Sequence, residues 1–230
     1  METTERINPV PGLSKRLNTI LGYLEKDDVL CDIGADHGQL VLAFASQVKH
    51  DSYATEIANG PFDRLEENVE ASPYGSRVKT YQADGLSDLP PEVNALAICG
   101  MGGETIAHIL SRGARWLQGV RKMIIEPQGH AFEARLALTK TPFVITDETY
   151  VLEKGRAYPV IYCARGVEAT PYEGWELEFG RIPVQKGDPI LREYLKRTVT
   201  TLLPLEKSGK IAPKSKGTLD DAQSALEKYR

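Results

Sequence analysis

Cysteine is scarce: three residues in 230, at Cys31, Cys99 and Cys163, each inside a short apolar run. They are too few and too scattered for a disulfide framework or a zinc site, so no metal is expected and the thiols read as buried in a reducing compartment. Long hydrophobic runs are missing. None approaches the roughly 18 residues of a membrane span. The polar stretch Met1–Gly12 carries two prolines and does not read as a secretory leader. Neither sign of charge dominates, with 28 Lys and Arg against 32 Asp and Glu. There is no internal repeat and no low-complexity tract. The expectation is a soluble cytoplasmic protein without a membrane partner, taken as a monomer.

The apolar fraction is 41% and the charged fraction 26%, ordinary for a globular domain with a real core. Leu13, Leu17, Ile20, Leu21 and Leu24 recur at helical spacing over 13–25. Strand-like and helix-like segments then alternate. Strands are expected at Val29–Gly34, Ser52–Glu56, Val78–Ala83, Leu96–Gly100 and Lys122–Glu126. Helices are expected at His37–Gln47, Gly60–Ala71, Thr105–Leu117 and Phe132–Thr139. The rhythm predicts an α/β fold with a mostly parallel sheet covered on both faces. Val144–Leu152 and Ala157–Ala164, joined by Glu153-Lys154-Gly155-Arg156, predict a closing antiparallel hairpin. Residues 166–187 show no period and read as a linker between a 1–165 domain and a helical appendage at 188–230. In the appendage Asp188-Pro189 opens one helix, Pro204 bends or ends it, Lys207–Gly217 is a basic linker, and Thr218-Leu219-Asp220-Asp221 reads as the cap of the last helix.

Four motifs bear on chemistry. Asp32-Ile33-Gly34-Ala35-Asp36-His37-Gly38 joins a strand to a helix, and Gly34 and Gly38 allow close approach of a ligand. The dinucleotide pattern G-x-G-x-x-G is absent, and Asp36 would repel a pyrophosphate. The motif therefore suits a cofactor without phosphates, of which S-adenosylmethionine is the common one. Glu56 ends the second strand 22 residues beyond Gly34, close to the spacing at which an acid meets ribose hydroxyls, with Ile57 beside it. Asp84-Gly85 ends the third strand, where an acid can accept from an adenine amino group. Gly100-Met101-Gly102-Gly103 ends the fourth, in place of the Asn/Asp-Pro-Pro-aromatic motif of enzymes that methylate exocyclic amines. Its open rim favours a ring nitrogen as acceptor. Asp32, Gly34, Gly38, Glu56, Ile57, Asp84, Gly85, Gly100 and Met101 are thus the candidate cofactor residues.

The residues at 13–17, 32–37, 60–62, 83–86 and 100–103 together resemble the bacterial tRNA (adenine-22-N1)-methyltransferases, from about Leu13 to Ala164. The resemblance implies a Rossmann-like class I methyltransferase sheet, a C-terminal coiled-coil domain, S-adenosylmethionine as cofactor and adenine 22 of tRNA as target. At the end of the fifth strand that family usually reads Gln-Pro-Asn, where this chain has Glu126-Pro127-Gln128.

Methylation of adenine N1 needs no base, but it makes the ring cationic, so a nearby carboxylate favours the transition state. Asp36 is the candidate for that role, oriented by His37. Phe132 and Tyr158-Pro159 are candidate stacking surfaces for a flipped base. For tRNA phosphates the candidates are Lys15 and Arg16 at the first helix start, and Lys196 and Arg197 in a segment, 186–216, whose net charge is +5. The helices after Asp188 are expected to be unnecessary for the cofactor pocket. Two other readings stay open at this level: a methyltransferase for a small molecule or protein, and a non-catalytic RNA-binding protein on the same scaffold.

Overall fold

The computed structural model describes residues 5–229, so the expectation for the first four residues lies outside it. Seven strands form one sheet: β1 Leu30–Ile33, β2 Ser52–Glu56, β3 Val78–Gln82, β4 Ala95–Met101, β5 Lys122–Pro127, β6 Phe143–Glu153 and β7 Arg156–Arg165. Their order is β3-β2-β1-β4-β5-β7-β6. The first five are parallel, and β7 pairs antiparallel with both β5 and β6. Lys154 and Gly155 take φ of 48° and 77°, the left-handed pair of a two-residue hairpin turn. No described helix is long and apolar enough to cross a membrane.

Alternation along the strands sends neighbours to opposite faces. Cys31, Ile33, Leu96, Ile98, Met123 and Ile125 pack on one side against α4 (Gly103–Gly113) and α5 (Ala131–Leu138). Leu30, Ala95, Ala97 and Ile124 pack on the other against α1 (Lys15–Leu21) and α2 (Gln39–Ala45). A third helix, α3 (Asn59–Ala71), covers β2 and β3 through Leu65 and Val69. The chain winds outward from β1 in one direction and from β4 in the other. The crevice at the C-terminal ends of β1 and β4 is the switch point, where open α/β sheets bind ligands.

The C-terminal region departs from expectation. Residues 166–187, read as a linker, carry α6 (Gly174–Phe179) and α7 (Arg181–Gln185). Trp175, Phe179 and Val184 bury there in one cluster with Tyr150 of β6 and with Leu191, Leu195, Ala222 and Ala225. The helices last barely a turn and a half, too short to print a period. α8 runs Pro189–Lys207 and keeps Pro204 inside its last turn rather than ending there. α9 begins at Pro213, a turn and a half before the expected cap, because Pro213 supplies the first-turn φ. Thr218 and Asp220 lie inside that helix, where Asp220 pairs with Lys216 one turn back.

Candidate functional site

The β1–α2 corner turns at Gly34, whose φ is 70°. A Cβ there would collide with the Met101 Cε, so the Met101 side chain lies against Gly34 and joins the ends of β1 and β4. Gly34 and Ala35 both donate their backbone N–H to the Thr55 carbonyl, at 2.9 and 3.0 Å, which ties the corner to β2. The Glu56 carboxylate accepts from the Asp36 N–H at 3.2 Å and from the Ile57 N–H at 2.9 Å. It is half-buried, with lone pairs to spare for hydroxyl donors. Ile57 leaves 59% of its apolar side chain in solvent beside that acid, a ready cover for a flat ring. On β3's side, Asp84 is exposed and meets Arg112 at 2.8 Å.

Between these acids and β5 lies a cavity of about 230 Å³ lined by Gly34, Asp36, His37, Gly100, Arg16 and Glu126, with Asp32 at its floor. Asp36 holds a left-handed φ of 44°. Its carboxylate is half-exposed and meets Arg64 at 2.7 Å, with the His37 Nε2 3.5 Å away. Asp32 is buried, and burial pushes its carboxyl up to about 7, against a lowering hydrogen bond from the Val41 backbone. Glu126, at the end of β5, is also buried. Its Oε2 accepts from the Gly100 N–H at 2.9 Å, and its Oε1 lies 3.5 Å from Arg16 Nη1 with no hydrogen-bond partner. Burial lifts its carboxyl to about 7 as well, opposed by Arg16 and the Gly100 N–H.

Two expected residues stand elsewhere. Gly38 is buried and faces α3, where a Cβ would come within 2.9 Å of Leu65 Cδ1. It therefore packs against the scaffold and not the cavity. Arg16 turns inward from the first turn of α1. It pairs with Glu126 and with Glu153 at 3.8 Å and stacks on the Tyr158 ring at 4.8 Å, so it is not free to hold a phosphate. Lys15 remains exposed beside Leu152 and Ile190. Lys196 and Arg197 are exposed on α8. Arg197 borders a second cleft of about 640 Å³ between α8 and the β6–β7 hairpin, with Arg156, Tyr158 and Gln128. Gln128 lines both cavities. Sequence reasoning noticed Glu126 only as a departure. The available signal was an acid closing β5 just as Glu56 closes β2.

Among the described residues two clusters have metal-ligand proximity, Glu104–His130–Glu133 and Glu25–Asp27–Asp28. The first is mostly exposed, with its imidazole 2.9 Å from Glu104; the second is paired with Lys122 and Arg121.

Residues 13–161 match a methyltransferase domain family. The tRNA (adenine(22)-N(1))-methyltransferase of Bacillus subtilis is 36% identical over 172 residues, 74% of this chain and 72% of that protein. The chain belongs to this methyltransferase family. The crystal structure of the Bacillus subtilis tRNA methyltransferase TrmK superposes with a TM-score of 0.79 at 28% identity, covering 94% of this chain and 97% of that one. A Streptococcus pneumoniae protein crystallised with S-adenosyl-L-methionine superposes at 0.81 and 25% identity, over 93% and 99%. In this methyltransferase the strand ends that sequence spacing picked out, at Gly34, Glu56, Asp84 and Gly100, all lie on the C-terminal edge of the sheet.

Proposed function

We propose that this protein transfers a methyl group from S-adenosylmethionine to N1 of adenine 22 in tRNA, acting in the cytoplasm as a monomer without a metal ion. One observation carries the reading. Acids at successive strand ends, Glu56 and Asp84, lead along the sheet edge to a cavity at the switch point, in a chain whose relative of 36% identity is named for that reaction. S-adenosylmethionine, when bound, supplies a methyl group on a positively charged sulfur. Glu56 accepts from the ribose hydroxyls, Ile57 covers the adenine ring, and Asp84 with Gly85 receives its amino edge. Asp32, Gly34, Gly100 and Met101 border the methionine end.

The target N1 carries a free lone pair at neutral pH, so no residue needs to remove a proton. The target must leave its stack to enter the cavity. Asp36 stabilises the positive charge that grows on the ring, and Arg64 and His37 hold its carboxylate in place. The Asp36→Asn variant should bind cofactor and tRNA nearly as well as the parent while its single-turnover rate falls sharply. A rate that falls only in step with cofactor affinity makes Asp36 a binding residue. The cleft bordered by Arg156, Arg197 and Tyr158 carries the tRNA toward the cavity, with Lys196 and Lys15 as outlying phosphate ligands. Incubation with labelled S-adenosylmethionine and tRNA, followed by nucleoside analysis, tests the whole reading. The expected product is N1-methyladenosine, and its absence refutes the proposal.

A further inference from the structure

An aromatic ring stands half in solvent on the basic helix. Tyr194 lies on α8 with 41% of its surface exposed. Behind it are two buried rings, Phe179 edge-on at 6.2 Å and Tyr150 stacked at 6.5 Å, which hold its orientation. Its exposed part lines the cleft of about 640 Å³ between α8 and the β6–β7 hairpin. Arg197 follows on the same face of α8, three residues on, and Arg156 faces the cleft from the hairpin. Both arginines are exposed and, among the described residues, neither forms an ion pair. One acid among the described residues, Glu178, lines the cleft, and burial pushes its carboxyl up.

A flat ring with free cations close by suits a flat partner that carries an anion on either side, which is one nucleotide within a strand. The cleft has room for one. In the proposed function the target adenine enters the cavity at the switch point, so the cleft is left for another part of the RNA. The two spaces adjoin at Gln128, which lines both, so what sits in the cleft is close in the strand to what sits in the cavity. Resting on that proposed function, we infer that the cleft seats a second base of the tRNA, the one next to the target, with its ring on Tyr194 and its phosphates against Arg156 and Arg197. Extruding the target leaves its neighbour without a stacking partner, which is part of the cost of flipping. The Tyr194 ring takes that partner's place. It does so for any base, since every base has a π-face. Tyr194 is therefore a positioning residue: it holds the strand beside the target and does not touch the reacting atoms.

The test compares intact tRNA with two tRNAs that carry an abasic nucleotide immediately 5′ or 3′ of the target. Methylation of each is measured with the full-length parent, Tyr194→Phe and Tyr194→Leu, with melting temperature and cofactor affinity as checks on folding. In the parent, one of the two abasic tRNAs should lose roughly 5- to 150-fold in kcat/KM, the range for one base–aromatic stack. Tyr194→Phe keeps the ring and should keep that loss. Tyr194→Leu fills the space without a π-face, so there the loss should shrink to within about threefold, as expected when both changes remove one interaction. Each loss is a ratio within one variant, so a general fall in activity does not obscure it. An abasic site that merely disturbs the tRNA penalises all three proteins alike. An undiminished loss in Tyr194→Leu, or no loss from either abasic tRNA in the parent, overturns the inference while leaving the proposed function standing. The second of these outcomes needs no variant to fold. Absence of N1-methyladenosine from the parent reaction with intact tRNA overturns both.

Discussion

Burial separates the carboxylates around the candidate site, and the proposed function gives each a different test. Glu56 is half-buried and hydrogen-bonded to two backbone donors, and the proposed function has it accept from ribose hydroxyls. Glu56→Ala should raise the dissociation constant for S-adenosylmethionine about tenfold or more, since hydrogen bonds to a charged group contribute roughly 1.5–3 kcal/mol. Calorimetry showing unchanged affinity would remove Glu56 from the site. Glu126 differs because its folded carboxyl titrates at about 7, above the ordinary 4.5. A group that holds its proton more tightly when folded contributes stability that is complete below the unfolded value and lost as pH rises through the folded one. Glutamine has no such loss, and the similar burden at Asp32 is common to both proteins and cancels. The melting temperature of Glu126→Gln relative to the parent should therefore climb between pH 5 and pH 8. A pH-independent difference would mean that Glu126 ionises normally. Glu56 was legible in the sequence because it ends a strand about 20 residues beyond Gly34, and Asp84 because it ends the strand that follows. The Arg16–Glu126 pairing was not, because it joins residues on different elements across the sheet and no local pattern encodes it.

Elements were legible where local pattern and burial agree. β1, β4 and β5 are short apolar runs that emerge within a residue or two of expectation because both their faces are covered. α6 and α7 were not, since their burial comes from Tyr150 and α8–α9 rather than from a period of their own. α8 is fixed at its start by Asp188, as Asp-Pro spacing predicts. Its Oδ1 accepts from the N–H groups of Ile190 and Leu191 at 2.9 and 3.0 Å. Its Oδ2 also accepts from the Tyr150 N–H at 2.9 Å and the Thr149 hydroxyl at 3.1 Å. One side chain caps a helix and fastens it to β6. Asp188→Ala should therefore cost more than an ordinary cap, on the order of 2–3 kcal/mol, because the Tyr150 N–H also loses its partner. Thermal melting should fall by several degrees. A loss below about 0.5 kcal/mol would show the fastening to be unimportant.

At the scale of the molecule, that same fastening changes how the basic appendage must be tested. Sequence alone suggests cutting the chain before α8. The structure argues against it, because α8 and α9 share one buried cluster with β6, α6 and α7. Removing α8 and α9 would uncover Tyr150, Trp175 and Phe179, so the fragment would lose stability before it reported on tRNA. Charge removal on the intact chain avoids this. Within the segment of net charge +5, Lys186 is paired with Asp147 and Lys216 with Glu206 and Asp220. Lys196 and Arg197 are exposed and, among the described residues, form no ion pair, so their charge is available to phosphates. Replacing both by alanine should leave melting and cofactor affinity unchanged. It should weaken tRNA binding and lower the slope of log K against log salt by roughly 0.7–0.9 for each phosphate no longer neutralised. Binding measured from low to physiological salt decides it. A variant with the parent's affinity and slope would place the tRNA path away from α8, leaving the cleft beside Tyr158 to be reached from another side.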